Sequence, residues 1–123
     1  MTLERLDGVF SVCKIESEGA SVSQGGKYRF LSVTDDEISL VCLSEDVPES
    51  TLAREDGWKG LRVKGTLDFS LIGILAELSA ILAKEGIGIF VISTYDTDYL
   101  FVKEENYEKG CEALVCAGHL VTK

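Results

Sequence analysis

Two aspartates, Asp96 and Asp98, stand where the apolar stretch "IGIFVIST" gives way to "DYLFVKE". Paired carboxylates can serve as acid and base or hold a cation, and Asp is also common in turns because it bonds its own backbone. Other reactive groups are sparse. His119, the single histidine, falls in a terminal strand, where it offers no base to a nucleophile. The glycines form neither a Walker pattern nor a dinucleotide-binding pattern. Cys13, Cys42, Cys111 and Cys116 form no close pair of the zinc or thiol-exchange kind, and each lies in an apolar segment, so all four are expected as reduced core residues. The reading is therefore of a non-enzymatic chain with no catalytic residue, no metal and no cofactor.

The remaining polar geometry suits a small zwitterion. A helix that follows Ser70 would present free backbone N–H groups at Leu71, Ile72 and Gly73, and such groups favour a carboxylate. Gly73 would let a ligand approach the backbone closely. Asp98 would face an ammonium, with Thr94 and Tyr95 adding polar and aromatic surface. Each residue also has an ordinary role, since Ser70 can cap, Gly73 can ease helix packing and Asp98 can bend the turn.

The elements that must position these groups follow from periodicity. Leu61 to Gly65 alternates apolar with basic residues and predicts a short strand. Leu71, Ile74, Leu75, Leu78, Ile81 and Leu82 follow the spacing of an amphipathic helix that Gly86 ends. Two strands joined by the acidic turn come next. A second helix from about Glu105 to Ala117 buries Tyr107, Cys111 and Leu114, Gly118 stops it, and His119 to Thr122 forms a last strand. The order β-α-β-β-α-β is the split βαβ, ferredoxin-like plan, an α+β fold with an antiparallel sheet and helices on one face.

"FLSVTDDEISLVCL" from Phe30 can be laid on "FVISTYDTDYLFVK" from Phe90, sixty positions later, which predicts an internal repeat. The first copy, begun by "GVFSVCKI", is degenerate: "ESEGASVSQGGK" has no helical face, and "VPESTLARE" leaves room for one or two helical turns. The expected domains are 1–57 and 58–123. Because Ile89 to Ile92 and Tyr99 to Val102 are apolar at consecutive positions, their second face or edge needs a cover, from the first domain or from a second chain.

The composition narrows the partners. The 123 residues carry 21 acidic and 12 basic side chains, a net charge of −9, which repels nucleic acid and anionic membrane surfaces. No apolar run approaches the ~18 residues of a spanning helix. The start of the chain lacks the pattern of a signal peptide, so a cytoplasmic location is expected.

The stretch "LRVKGTLDFSLIGILAELSAILAKEGIGIFVISTYDTDYLFVKEE" closely resembles the ACT domain as it occurs in small bacterial tandem-ACT proteins, the aspartate kinase regulatory region and the CASTOR arginine sensors, over about Trp58 to Leu114. The resemblance implies two tandem ACT units and a free amino acid bound between units, where the helix-start loop of one faces the hairpin of another. It implies ligand contacts within Asp68, Phe69, Ser70, Leu71, Ile72, Gly73, Ile74 and Leu75, and within Thr94, Tyr95 and Asp98. Asp98 matches the acidic residue that meets the ligand's cationic groups in the arginine sensors. This chain has two units where those sensors have four, so a homodimer is expected to complete the interface. The implied role is regulatory; the rival expectation is a structural or protein-interaction module with a vestigial pocket.

Overall fold

The computed structural model describes residues 1–21, 26–64 and 73–123. They form two units, Gly8–Trp58 and the pair of segments Met1–Asp7 and Lys59–Lys123. The strands are β1 (Thr2–Arg5), β2 (Phe10–Ile15), β3 (Arg29–Val33), β4 (Ile38–Leu43), β5 (Ala53–Val63), β6 (Ile89–Ser93), β7 (Asp98–Lys103) and β8 (Leu120–Thr122). The helices are α1 (Ile74–Lys84) and α2 (Tyr107–Cys116). Among the described residues no helix is long and apolar enough to cross a membrane.

In the Gly8–Trp58 unit the strands run in the order β3-β4-β2-β5, each antiparallel to its neighbour. Cys13, Ile15, Leu40 and Cys42 form its buried core. The helical segments described there are single 3-10 turns, Glu18–Ser21 and Ser44–Asp46. The stretch from Val47, expected to supply a turn or two of helix, has none; the turn lies just before it and β5 begins at Ala53. The β2–β5 register passes from Phe10↔Trp58 to Val12↔Glu55, so Ser11 opposes both Asp56 and Gly57. Gly57 takes φ +87, the left-handed geometry that a glycine bulge needs. Ser11 is fully buried and satisfied: its hydroxyl donates to Asp56 and accepts from Ser44.

The other unit holds β5-α1-β6-β7-α2-β8, the expected β-α-β-β-α-β order. One strand is additional. β1 lies between β5 and β8, antiparallel to the first through Leu3↔Val63 and parallel to the second through Leu3↔Val121. The first seven residues, expected in the first domain, therefore belong with the second. Their partners stand far along the chain, and a four-residue strand has too little periodicity of its own to reveal them. Leu3, Leu61, Val63, Leu100 and Val102 pack from the sheet against Leu78, Leu82, Cys111 and Leu114 of the helices. The alternate positions are on the opposite face, where Arg62 bonds Glu4 at 2.7 Å and Phe90 stacks on Phe101.

Glycine stops both helices as expected. Gly86 has φ +75, with Ile87 N–H bonded to Leu82 O at 3.0 Å. Gly118 has φ +101, with His119 N–H bonded to Leu114 O at 3.0 Å. Both are six-to-one closures of the Schellman type. Arg5 ties β1 to α2 through paired bonds to Glu108 at 2.8 and 2.9 Å. Arg5 and Lys59 also lie over the Tyr107 ring, whose hydroxyl donates to Gly60 O at 2.8 Å.

Leu3 is fully buried between two strands and both helices. Leu3→Ala is expected to lower stability by about 2–5 kcal/mol, the range for a leucine cavity in a close-packed core. Chemical denaturation followed by the fluorescence of Trp58 and by circular dichroism would measure it.

Candidate functional site

The acidic hairpin is built by threonine. Thr94 N–H and Thr94 Oγ1–H both bond Thr97 O, at 2.8 and 3.1 Å, and close a four-residue turn with Tyr95 and Asp96 at its exposed tip. Tyr95 is 88 % exposed. Thr97 is buried, and its hydroxyl donates to Val63 O at 2.7 Å. This bond pins the bend to the last residue of β5, the point from which the chain leaves toward α1.

Asp98, expected in the bend, is instead the first residue of β7 and pairs across the ladder with Ser93. It is only 8 % exposed. Ser93 Oγ–H donates to its Oδ1 at 2.5 Å, the length of a hydroxyl-to-carboxylate bond. Among the described residues no cation pairs with Asp98; the arginines that meet carboxylates serve Glu108, Asp56 and Glu4. Segments 22–25 and 65–72 contain no Lys, Arg or His. Among the described residues the hydrogen-bond partner of this nearly buried carboxylate is the Ser93 hydroxyl, and a buried carboxylate ordinarily needs more than one such bond to replace lost water.

The first hairpin supplies a control. Thr34 N–H and Thr34 Oγ1–H bond Glu37 O at 3.0 and 3.2 Å, the same turn sixty positions earlier. There the first ladder pair is Val33↔Ile38 in place of Ser93↔Asp98. The turn therefore forms without a carboxylate at this position, and turn chemistry does not account for Asp98.

At the other expected half of the site, α1 begins at Ile74, one residue beyond Gly73, which has φ +83 and occupies the cap position without a side-chain cap. The described first turn of α1 is Ile74, Leu75 and Ala76, whose N–H groups have no acceptor within the helix; of the expected donors Leu71, Ile72 and Gly73, only Gly73 is among the described residues. Among the described residues nothing lies within 4 Å of where a Gly73 Cβ would be. The Ile74 and Leu75 side chains are partly buried and pack against the core. Asp68, Phe69, Ser70, Leu71 and Ile72 lie outside the described residues. Ser93 escaped the sequence reading; the threonine turn, which sets it opposite Asp98, is the signal that could have found it.

The remaining reactive groups have structural settings. His119 is buried just before β8, with Nε2 2.8 Å from Glu77 Oε2 on α1. Burial raises the Cys13 and Cys111 thiols, and raises Cys42 to about 11, which suppresses the thiolate. Cys116, expected in the core, is exposed because it lies on the outer side of α2. Among the described residues no group of three or more His, Cys, Asp or Glu side chains could hold a metal. A hollow of about 450 Å³ between α1 and α2, lined in part by Ile81, Lys84, Lys109, Glu112 and Cys116, takes in none of the expected site residues.

A sheet with two helices on one face, ordered β-α-β-β-α-β and bearing a buried carboxylate at its hairpin, defines an α+β module of the ferredoxin-like class. The chain belongs to the ACT domain family, whose model matches residues 53–115. A protein from Agobacterium tumefaciens is 32 % identical, with a TM-score of 0.87, over 99 % of this chain and 92 % of that one. The ligand-free regulatory subunit of aspartate kinase from Thermus thermophilus shares the fold at 9 % identity and TM-score 0.65, over 94 % of this chain and 96 % of that one. Aspartate kinase from Clostridium acetobutylicum does so at 16 % identity and TM-score 0.70, over 94 % of this chain and 33 % of the enzyme. No curated protein is significantly similar to the chain.

The thiol settings predict a two-phase reaction with an aromatic disulfide reagent. Cys116 should react rapidly in the folded protein, and Cys13, Cys42 and Cys111 only on unfolding. Thiol release followed by absorbance, with and without denaturant, would check it.

Proposed function

We propose that this chain is a non-enzymatic regulatory module that binds a free amino acid at an interface between ACT units. The ammonium would rest against Asp98 and the carboxylate against the start of α1. The observation that carries this reading is the buried Asp98, without a partner cation among the described residues, at a position where the sister hairpin has Ile38. Family membership and the likeness to aspartate kinase regulatory regions support it. The Thr97 bond to Val63 favours it too, since it ties the hairpin to the strand end that leads toward α1.

The Gly8–Trp58 unit is read as a worn tandem copy. Its hairpin and the 3-10 turn that follows it, Ser44–Asp46 against Glu104–Asn106, repeat at the same sixty-residue offset. Two chains would then supply the partner units, making a homodimer with an isologous interface. Amino-acid binding would act by favouring one arrangement of units over another. A cytoplasmic setting, and an acidic surface with no affinity for nucleic acid or membrane, go with this reading. One observation favours the rival, a structural or interaction module with a vestigial pocket: the low exposure of Asp98 leaves a ligand little carboxylate surface.

A thermal-shift screen of the twenty amino acids at millimolar concentration should find one that stabilises the protein, by about 2.7 kcal/mol at one hundred times its dissociation constant. Calorimetric titration with that amino acid should show Asp98→Asn binding about ten- to one-hundred-fold more weakly, the loss of one charge-assisted bond, and Asp96→Asn nearly as the parent does. Equal affinity in parent and Asp98→Asn would make the carboxylate structural and overturn its role against the ammonium, whereas a protein stabilised by none of the twenty would support the vestigial pocket. Light scattering at micromolar concentration should give twice the chain mass; a monomer unmoved by every amino acid would count against the interface.

A further inference from the structure

We infer that Ser93 is a positioning residue of the amino-acid site, its hydroxyl holding Oδ1 of Asp98 so that Oδ2 is left for the ligand's ammonium. The inference rests on the reading of Asp98 given above. Ser93 and Asp98 are the first cross-strand pair of the β6–β7 ladder, and the Ser93 hydroxyl bonds the carboxylate while the turn is closed by Thr94 and Thr97. Neither member is needed to form this hairpin, because Val33 and Ile38 occupy the same pair in the sister hairpin with the same threonine turn. Both positions are apolar in one copy and both polar in the other, and the polar pair meets at 2.5 Å. A carboxylate opposite valine would be free to rotate toward water; opposite serine it is fixed. Fixing it removes rotamer entropy that binding would otherwise have to remove. The role differs from that of Asp98, which would touch the ammonium; Ser93 would act only through it.

The test uses the full chain, with each of the twenty L-amino acids in turn as probe in a thermal-shift assay and the stabilising one titrated by calorimetry. Ser93→Ala should weaken binding about tenfold, as expected for one net hydrogen bond, and Ser93→Thr, which keeps the hydroxyl, should restore it. In an Asp98→Asn background Ser93→Ala should add little, since two residues that act as one unit are not additive. Parent-like binding by Ser93→Ala, or an undiminished loss in the Asp98→Asn background, would overturn the inference while leaving the amino-acid site standing. If Ser93→Ala does not fold, the double variant Ser93→Val/Asp98→Ile, which copies the pair already carried at 33 and 38, should fold and fail to bind; binding by it would also overturn the inference. A parent that responds to none of the twenty would remove the amino-acid reading, and this inference with it.

Discussion

The pairing of β1 with β5, Leu3 opposite Val63, is the constraint on which the Met1–Asp7 and Lys59–Lys123 unit depends. It sets a fully buried leucine between two strands and beneath both helices. It also holds the end of β5, and Val63 offers its carbonyl to Thr97. The hairpin bend is therefore anchored to the core through one buried hydroxyl, and Asp98 follows directly after that anchor. Arg5, at the far end of β1, bonds Glu108 and covers Tyr107, so the same strand also secures α2.

Burial and charge meet at Asp98. The protein pairs other carboxylates with arginines near the surface, at Glu4, Asp56 and Glu108, where solvent screens both partners and each pair contributes little. Asp98 is more buried and has a hydroxyl in place of a guanidinium. Such a site is costly to maintain for stability alone, and an apolar pair of similar size already works in the sister hairpin.

The comparison of the two hairpins separates what is generic in this turn from what is particular. Thr34 and Thr94 each bond the carbonyl three residues on through both N–H and hydroxyl, and Thr34 Oγ1 also accepts from the Asp36 and Glu37 N–H groups, so the shared closure is a property of the threonine. Asp35, Asp36 and Asp96 are exposed tip residues in those turns. The acidic look of both bends is thus mostly turn chemistry, and the exception is the one carboxylate that lies beyond the bend, on a strand.

The sequence by itself determined the elements whose signals are local. Leu78 and Leu82 on α1, and Tyr107, Cys111 and Leu114 on α2, face the core as their spacing requires. Gly86 and Gly118 stop the helices because a left-handed residue closes the last turn at no steric cost. The hairpin strands, the threonine repeat and the ACT resemblance were legible for the same reason, since each is written within a few adjacent residues. Only the tertiary structure decided that β1 joins the far unit, that Asp98 is buried opposite Ser93, that α1 starts after Gly73, and that Cys116 faces outward. These depend on which distant partner a segment meets and on which of two sheet faces becomes covered. A short strand has no preference of its own strong enough to announce either.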